Sequence, residues 1–491
     1  MRLCQLLENV SYELKQGKED VEVTSLVYDS RKVEPGSVFL CISGTKNDAH
    51  QFIPAAVKAG AAAVVVEKDV EVEESVTVVR VDSARAALAR MSCIYFGRPT
   101  DQMITIGVTG TKGKTTTTHM MKAILEKAGK KVGMIGTNGA YIDGKLYPTK
   151  NTTPESYELM NYFRQMVEAG CQYMIMEVSS QGLKMHRVEG ITFDYGVFTN
   201  ISPDHIGPDE HKDFEEYLYY KSRMLKICRH GIANMDDEHF EQAAKDHAGS
   251  LMTYGLNPKA DLYIDHVKYL SEHGFLGIAF DLEGAANYHV RVNIPGLFNA
   301  YNALAAICLA QELKLDRKAV TEALNEITVN GRMERVYTGE FSVIVDYAHN
   351  AVSMHSLLET LRAYEPGRLI CLFGCGGNRD KSRRYDMGEI GGRMADLCII
   401  TADNSRWEKV EDILNDIKTG LAKTEGNYIE IPDRREAIRY GIEHAKPGDM
   451  IAMIGKGHED YQEVEGVRHP FLDSAVAKEC LAECGLVGSV K

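Results

Sequence analysis

Apolar and polar positions along this chain fall into short runs whose period changes repeatedly. "FLCISG" (39–44) and "AAAVVVEK" (61–68) are apolar stretches of strand length, and "FIPAAVKAG" (52–60) between them has helical spacing and a glycine stop. At "FGRPTDQM" (96–103) a proline and the loss of periodicity mark a linker. From "MITIGVTG" (103–110) onward, strand-like and helical runs alternate. "KKVGMIGT" (130–137), "YMIMEVSS" (173–180) and "FDYGVFTN" (193–200) are further buried strands. Such alternation predicts a parallel sheet covered by helices.

The pattern then changes. "ADLYIDHVKYLSEHGFLGIAFDLEG" (260–284) and "YHVRVNIPG" (288–296) predict a β-rich insertion, and "NAYNALAAICLAQEL" (299–313) a helix. After "NGRMERV" (330–336) a second strand–helix series begins with "VIVDYA", "LICLFG", "LCIITAD" and "MIAMIG", which predicts a separate doubly wound domain. The 491 residues suffice for about three domains of roughly 150 residues. The expected fold is therefore α/β in three parts, without repeats or low-complexity tracts.

Composition narrows the function. Apolar residues at 44% and charged residues at 26% are ordinary for a globular chain. A net charge of −14 with no offsetting basic block argues against a nucleic-acid partner. No apolar run reaches the roughly 18 residues of a membrane helix, so no membrane insertion is expected. "MRLCQLLENVSYELKQGKED" contains acids and no small-residue cleavage site, so no secretory signal is expected. The eleven cysteines are scattered, and the pairs Cys371/Cys375 and Cys480/Cys484 lack metal-finger spacing. Reduced thiols in a cytoplasm follow.

The most informative stretch is "GVTGTKGKTTTTHMM" (107–121). An apolar strand enters Gly107, Gly110 and Gly113, and a helix is expected from Lys114 to Ala128, closed by Gly129. This is the context of a phosphate-binding loop, in which glycines let backbone N–H groups approach phosphates and the helix N-terminus favours their charge. Lys114 is placed to reach the β- and γ-phosphates and Thr115 to bind Mg²⁺. The general pattern G-x-x-x-x-G-K-[ST] requires glycine where Val108 stands, so the match is not literal. The loop alone does not separate a motor, a switch, a kinase and a ligase.

Three further features bear on the choice. Glu177 ends an apolar strand, where an acid faces the ligand crevice of an open α/β sheet. Asp204, His205 and His211 follow another strand of the same sheet, with Lys221 in the helix beyond. "LICLFGCGGNRD" is too incomplete for a dinucleotide fingerprint, and its arginine at a strand's carboxyl end suits a substrate carboxylate.

In order, "TGTKGKTT", "EVSS", "NISPDH", "YLYYK", "NAYNALAA", "GRME" and "DYAH" resemble the Mur ligases, ATP-dependent enzymes that add amino acids to a UDP-N-acetylmuramoyl precursor of peptidoglycan. The resemblance covers nearly the whole chain, and the family's shorter G-T-x-G-K-[ST] loop accounts for Val108. "YDSRKVEPGSVFLCISG" (28–44), "NTTPES" (151–156), "GCGGNRDKSRR" (374–384), "DNSR" (403–406) and "GKGHEDYQ" (455–462) are similar to the branch that adds the third residue.

The resemblance implies a UDP-precursor domain (1–99), a central ATP domain (100–332) and a C-terminal Rossmann-like domain for the amino acid (333–491). It implies ATP contacts from Gly110, Thr111, Lys112, Gly113, Lys114, Thr115, Thr116, Asn299, Arg332 and Asp346. The UDP precursor would meet Tyr28, Ser30, Thr45, Lys46, Asn47, Asn151, Thr152, Thr153, Ser179 and Arg187. Arg379, Asp403, Asn404, Ser405, Arg406, Gly455 and Glu459 would hold the amino acid. Lys114, His205 and Lys221 would be catalytic; Thr115 and Glu177 would hold one Mg²⁺ and His205 the other, with Lys221 contributing as a carbamate. The substrates implied are ATP, UDP-N-acetylmuramoyl-L-alanyl-D-glutamate and an amino acid, joined through an acyl phosphate by a cytoplasmic monomer serving cell-wall biogenesis, cell shape and division.

Arg406 suits the second carboxylate of meso-diaminopimelate better than the ammonium of L-lysine, although L-lysine or another amino acid remains the alternative. Three departures stand out: Met185 where relatives often have glutamine, "NA" after His349 where a proline is usual, and Ser405 where diaminopimelate-adding relatives usually carry proline. A folylpolyglutamate synthetase shares the ATPase core but lacks a counterpart of "DSRKVEPGSVF". A P-loop switch or motor and a silent paralogue are the other readings.

Overall fold

The computed structural model describes residues 1–44, 47–208, 210–272 and 274–486, and the chain divides into two compact units. The first comprises residues 1–255 with 305–315, the second 256–304 with 316–491.

The first unit opens with a five-stranded sheet in the order Glu13–Gln16, Thr77–Arg80, Ala63–Val66, Ser37–Leu40 and Ser25–Val27. Only the Glu13–Gln16 edge runs antiparallel. The predicted helix at 52–60 is Ile53–Lys58, started by a proline in its first turn. The expected linker contains the 3₁₀ turn Pro99–Gln102.

The larger sheet of this unit is centred on Ile104–Thr109, flanked by Tyr173–Glu177 and Phe193–Phe198, both parallel to it. Val132–Gly136 lies beyond the first, and Cys228–Asn234 then Ser250–Gly255 beyond the second. Ile104–Thr109, Val132–Gly136 and Tyr173–Glu177 are largely apolar on both faces, the signature of a helix-covered parallel sheet, and the strands toward Ser250–Gly255 are more polar. Met160, Phe163, Met174, Met176, Phe193, Phe198 and Leu225 belong to its core. Two short antiparallel strands, Gly139–Ile142 and Lys145–Tyr147, finish the far edge. The helix after the loop runs Lys114–Lys127, and Gly129 beyond it adopts φ +74°.

In the second unit the predicted β-rich insertion is three antiparallel strands, Leu262–Glu272, Phe275–Gly284 and His289–Val292. A six-stranded sheet follows, ordered Glu334–Thr338, Ser342–Asp346, Met450–Ile454, Leu369–Phe373, Leu397–Ile400 and Tyr428–Glu430. All neighbours after the first pair are parallel. This is the expected doubly wound sheet, and its crevice lies at the carboxyl ends of its strands. The helix Leu297–Glu312 belongs to the second unit up to Leu304 and to the first from Ala305. Among the described residues no helix is long and apolar enough to cross a membrane, and all eleven cysteines are free thiols.

Candidate functional site

The strand Ile104–Thr109 delivers the glycine loop to the N-terminus of the helix Lys114–Lys127. Gly110 has φ +147°, and a Cβ there would lie 1.9 Å from Thr199 Oγ1, so the backbone passes where no side chain fits. The loop is clamped by the end of the neighbouring strand. Thr111 N donates to Asn200 O at 2.8 Å, Lys112 N to Asn200 Oδ1 at 2.9 Å, and Thr199 Oγ1 to Lys112 O at 2.8 Å. Lys114 Nζ folds back onto Gly110 O at 2.8 Å and Thr111 O at 3.1 Å, which places its charge inside the loop.

Glu177 is buried behind this loop. Its Oε2 accepts from Thr115 Oγ1 at 3.1 Å and Thr137 Oγ1 at 3.2 Å, and its Oε1 from Thr137 N at 2.9 Å. Gly136 is required here, since a Cβ would sit 2.3 Å from Glu177 Oε1. The same point gathers several residues expected to hold the precursor. Thr137 Oγ1 lies 3.1 Å from Thr152 Oγ1. Thr153 Oγ1 donates to Glu177 O at 2.9 Å and accepts from Ser179 N at 2.9 Å. Arg187 donates to Thr153 O at 3.0 Å and to Glu155 Oε1 at 2.9 Å. Asn151 is exposed beside them, and Met185 ends the short helix Ser180–Lys184.

Lys221 is buried in the helix Phe214–Lys226. Its Nζ donates to Gly110 O at 2.7 Å and sits 4.8 Å from the Tyr217 ring centroid. Burial, then the nearby Lys114 charge, push its pKa well below that of a free lysine, with Asp204 opposing them. His205 lies beside the same Tyr217 ring, 6.1 Å between ring centroids; it is half-exposed at φ +54°, with Nδ1 2.8 Å from Glu210 Oε1. His211 packs between Tyr217 and Tyr220, at 5.3 and 5.6 Å between ring centroids, and is fully buried. It behaves as a core histidine whose pKa burial lowers.

In the five-stranded part, Tyr28 Oη donates to Glu158 Oε1 at 2.5 Å, and burial raises its pKa. Ser30 opens a 3₁₀ turn, and Asn47 O accepts from Gly44 N at 2.9 Å. Thr45 and Lys46 lie outside the described residues.

The second unit carries the remaining candidates. Asp346 ends its strand, with Oδ2 accepting from Met333 N and Oδ1 from Ala348 N, both at 2.8 Å. Burial raises its pKa against the pull of Arg332, whose guanidinium lies 5.0 Å from the Tyr347 ring centroid. Asn299 is buried, donating to Pro295 O at 2.7 Å and accepting from Asn302 Nδ2 at 2.9 Å.

"DNSR" forms a turn at the carboxyl end of Leu397–Ile400. Arg406 Nη1 donates to Gly377 O at 2.7 Å, which aims the guanidinium at the "GCGG" turn where Arg379 is exposed. Asn404 Nδ2 donates to Glu459 Oε2 at 2.8 Å. A Cβ at Gly455 would lie 2.7 Å from Asp403 Oδ2, so these loops meet closely.

A curated relative from Caldanaerobacter subterraneus subsp. tengcongensis, named UDP-N-acetylmuramoyl-L-alanyl-D-glutamate--2,6-diaminopimelate ligase, is 42% identical over 98% of this chain and 99% of its own. The chain belongs to the Mur ligase family. A second relative of the same name, from Clostridium perfringens, is 41% identical over 94% of this chain and 96% of its own. Three family profiles match: "Mur ligase family, catalytic domain" over 22–95, "Mur ligase middle domain" over 108–310 and "Mur ligase, glutamate ligase domain" over 331–457. A solved structure of a protein bearing the relatives' name superposes with TM-score 0.75 at 29% identity, covering 99% of both chains. A MurF ligase from Thermotoga maritima solved with ADP shares the fold, with TM-score 0.58 at 17% identity over 96% of this chain and 99% of that one.

In this Mur ligase the structure brings together Lys114, Thr115, Glu177, Thr152, Thr153, Ser179 and Lys221 around one loop, and Asp403, Asn404, Gly455 and Glu459 around another. His205 is paired with Glu210 at 2.8 Å and packs near Tyr217. Among the described residues no group of three histidines, cysteines or acids is arranged to hold a metal ion. Thr115 Oγ1 and Glu177 Oε2 are nonetheless hard oxygen donors 3.1 Å apart, the chemistry and spacing that Mg²⁺ accepts.

Sequence reasoning passed over Thr137, Thr199 and Asn200, which position Glu177 and the loop. It also passed over Lys456, which is fully buried and donates to Asn404 Oδ1 at 3.3 Å and to Tyr461 O. The strand-end positions of "MIGT" and "FTN" and the apolar flanks of "MIGKG" were the only signals for them.

Proposed function

We propose that this Mur ligase uses ATP to join meso-diaminopimelate to UDP-N-acetylmuramoyl-L-alanyl-D-glutamate, supplying the third residue of the peptide in peptidoglycan synthesis. The observation that carries the choice of amino acid is the Arg406 guanidinium, held at the "GCGG" turn by Gly377 O. A guanidinium fork matches the distal carboxylate of diaminopimelate and repels the ammonium of lysine. Full-length relatives named for diaminopimelate support the reading.

The chemistry follows from the residues. A carboxylate is a poor electrophile until its oxygen becomes a good leaving group. The γ-phosphoryl group of ATP passes to the precursor's carboxylate, giving an acyl phosphate; the amine of the incoming amino acid attacks its carbonyl, and amide and phosphate result. Loop N–H groups from Gly110 to Thr116 cradle the phosphates, and Lys114 exchanges its loop carbonyls for phosphate oxygens. Thr115 and Glu177 would hold Mg²⁺ and His205 would hold a second ion, each of which would neutralise phosphate charge. Lys221, kept neutral by burial, takes up CO₂ as a carbamate with loss of a proton, adding an anionic oxygen pair beside the loop. Thr152, Thr153, Ser179 and Arg187, with Asn151, hold the muramoyl peptide. Tyr28, Ser30 and the 45–47 loop hold the uridine diphosphate. Asn299, Arg332 and Asp346 surround adenine and ribose, and Arg379, Asp403, Asn404, Ser405, Gly455 and Glu459 complete the amino-acid site with Arg406.

The functional domains are assigned to 1–99, 100–332 and 333–491. With ATP and a nucleotide-linked precursor as substrates the enzyme works in the cytoplasm, and with every assigned residue on one chain it works as a monomer. Phosphate release with the UDP-dipeptide and a panel of amino acids tests the reading. Turnover should need both substrates and be fastest with meso-diaminopimelate. A higher kcat/KM for L-lysine would overturn the amino-acid assignment, and release with ATP alone would point to a switch or motor.

A further inference from the structure

We infer that Arg434 is a positioning residue for the incoming amino acid, acting through the two backbone segments that present Asp403 and Gly455. The inference rests on the proposed amino-acid site. Arg434 opens the helix Arg434–Glu443 and Asp473 opens the helix Asp473–Glu483. Both side chains are completely buried. They meet in a two-point pair, Nε to Oδ1 at 2.8 Å and Nη2 to Oδ2 at 2.6 Å.

The rest of the guanidinium is what makes the pair informative. Nη1 donates to Ala402 O at 3.1 Å and Nη2 to Ile454 O at 3.2 Å. Ala402 immediately precedes Asp403, and Ile454 immediately precedes Gly455. Ile454 ends Met450–Ile454 and Ala402 lies two residues past Leu397–Ile400, and these strands are not neighbours: Leu369–Phe373 lies between them. One buried cation therefore ties together the ends of two strands across a third, at the carboxyl edge where the ligand crevice opens. The spacing it sets is tight, since the Gly455 backbone and the Asp403 carboxylate leave no room for a Cβ. The same segment reaches the nucleotide candidates, because Gly455 N donates to Asp346 O at 3.2 Å.

Stability alone does not explain such a pair. Apolar side chains of similar volume hold two helices together at least as well as a desolvated ion pair in many cases. Apolar groups cannot fix two carbonyls in direction and distance, and a planar fork with five donors can.

The test compares two variants of the full-length protein with wild type: the apolar double variant Arg434→Met/Asp473→Leu, and Arg434→Lys. Melting temperature is measured beside KM for the amino acid and for the UDP-dipeptide. The double variant should melt close to wild type, with the amino-acid KM raised on the order of tenfold to a hundredfold and the UDP-dipeptide KM unchanged. Arg434→Lys keeps the charge beside Asp473 but offers a single point of donation, and should also raise the amino-acid KM. A wild-type amino-acid KM in either folded variant overturns the inference, as does an equal rise in both KM values. If wild type prefers another amino acid, the diaminopimelate reading fails while the comparison runs unchanged on that substrate. Wild type without turnover on any amino acid overturns both.

Discussion

Replacing Lys221 by methionine separates a structural lysine from a chemical one. The methionine keeps most of the stem, so the packing against Tyr217 survives. The lost interaction is the hydrogen bond to Gly110 O at 2.7 Å. That carbonyl also accepts from Lys114 Nζ at 2.8 Å, so it is not left without a donor. A hydrogen bond from an uncharged amine contributes about 0.5–1.5 kcal/mol. Keeping a cation out of water costs several kcal/mol, which is why the Lys221 pKa is driven down. The two terms oppose each other, and the melting temperature should move little. Activity should respond differently, because losing one preorganised electrostatic group at a reacting phosphate or oxyanion costs about 10²–10³ in kcat. The assay is phosphate release with ATP, UDP-dipeptide and diaminopimelate, beside a melting curve. Formate or acetate should restore part of the rate by occupying the space of the carbamate. Wild-type turnover in Lys221→Met would refute the role. Rescue by small amines and not by carboxylates would show that the ammonium acts instead.

Four other variants probe the same framework. Lys114→Ala should abolish ADP formation with an unchanged melting curve, since the side chain donates to loop carbonyls of its own turn, Gly110 O at 2.8 Å and Thr111 O at 3.1 Å. Gly110→Ala should destabilise the first unit by about 2–6 kcal/mol in urea unfolding, combining overpacking of about 1–3 kcal/mol with backbone strain of about 1–3 kcal/mol. Arg406→Ala should lower kcat/KM for diaminopimelate by roughly 10- to 100-fold, the worth of a charged hydrogen bond, and no change would refute the reading of that turn. Glu408, paired with buried Arg384, has its pKa lowered from 4.5 to about 2. A depressed carboxyl contributes stability above its unfolded pKa and loses it as pH falls through the folded value. Glu408→Gln should therefore cost about 1–2 kcal/mol at neutral pH after allowance for solvent screening, with the gap closing between about pH 5 and pH 2; a gap that persists at pH 2 would contradict the ion-pair origin.

Much of this architecture was legible because its central strands are buried on both faces. Ile104–Thr109, Tyr173–Glu177 and Phe193–Phe198 read as continuous apolar runs, each ending in the residues that carry chemistry. The edges were less visible. Gly139–Ile142 and Lys145–Tyr147 are short, partly polar and antiparallel, so neither period nor composition separates them from a loop. The same distinction applies to the site. Lys114, Thr115 and Glu177 sit in local patterns that state their role. Thr137 reaches Glu177 across 40 residues of sequence and Asn200 reaches Lys112 across 88, and such contacts leave no trace in either stretch alone.

Ser405 shows how a local rule can mislead. A proline at that position fixes φ and stiffens the turn, so serine there predicts a looser setting for Arg406. The structure holds the turn from outside instead. Asn404 O accepts from Gly377 N at 2.8 Å, Arg406 N donates to Glu463 O at 2.9 Å, and Glu408 N donates to Ser405 O at 3.0 Å. Ser405 itself is buried, and a Cβ on Gly377 would lie 1.8 Å from its carbonyl oxygen. The rigidity that proline gives through one torsion is supplied here by three hydrogen bonds and a close backbone approach. Arg406 is consequently held at φ +51° with its guanidinium directed at Gly377 O. Loosening Arg406 should therefore require a change in the "GCGG" turn or the Tyr461–Val464 strand, and Ser405→Pro should gain little.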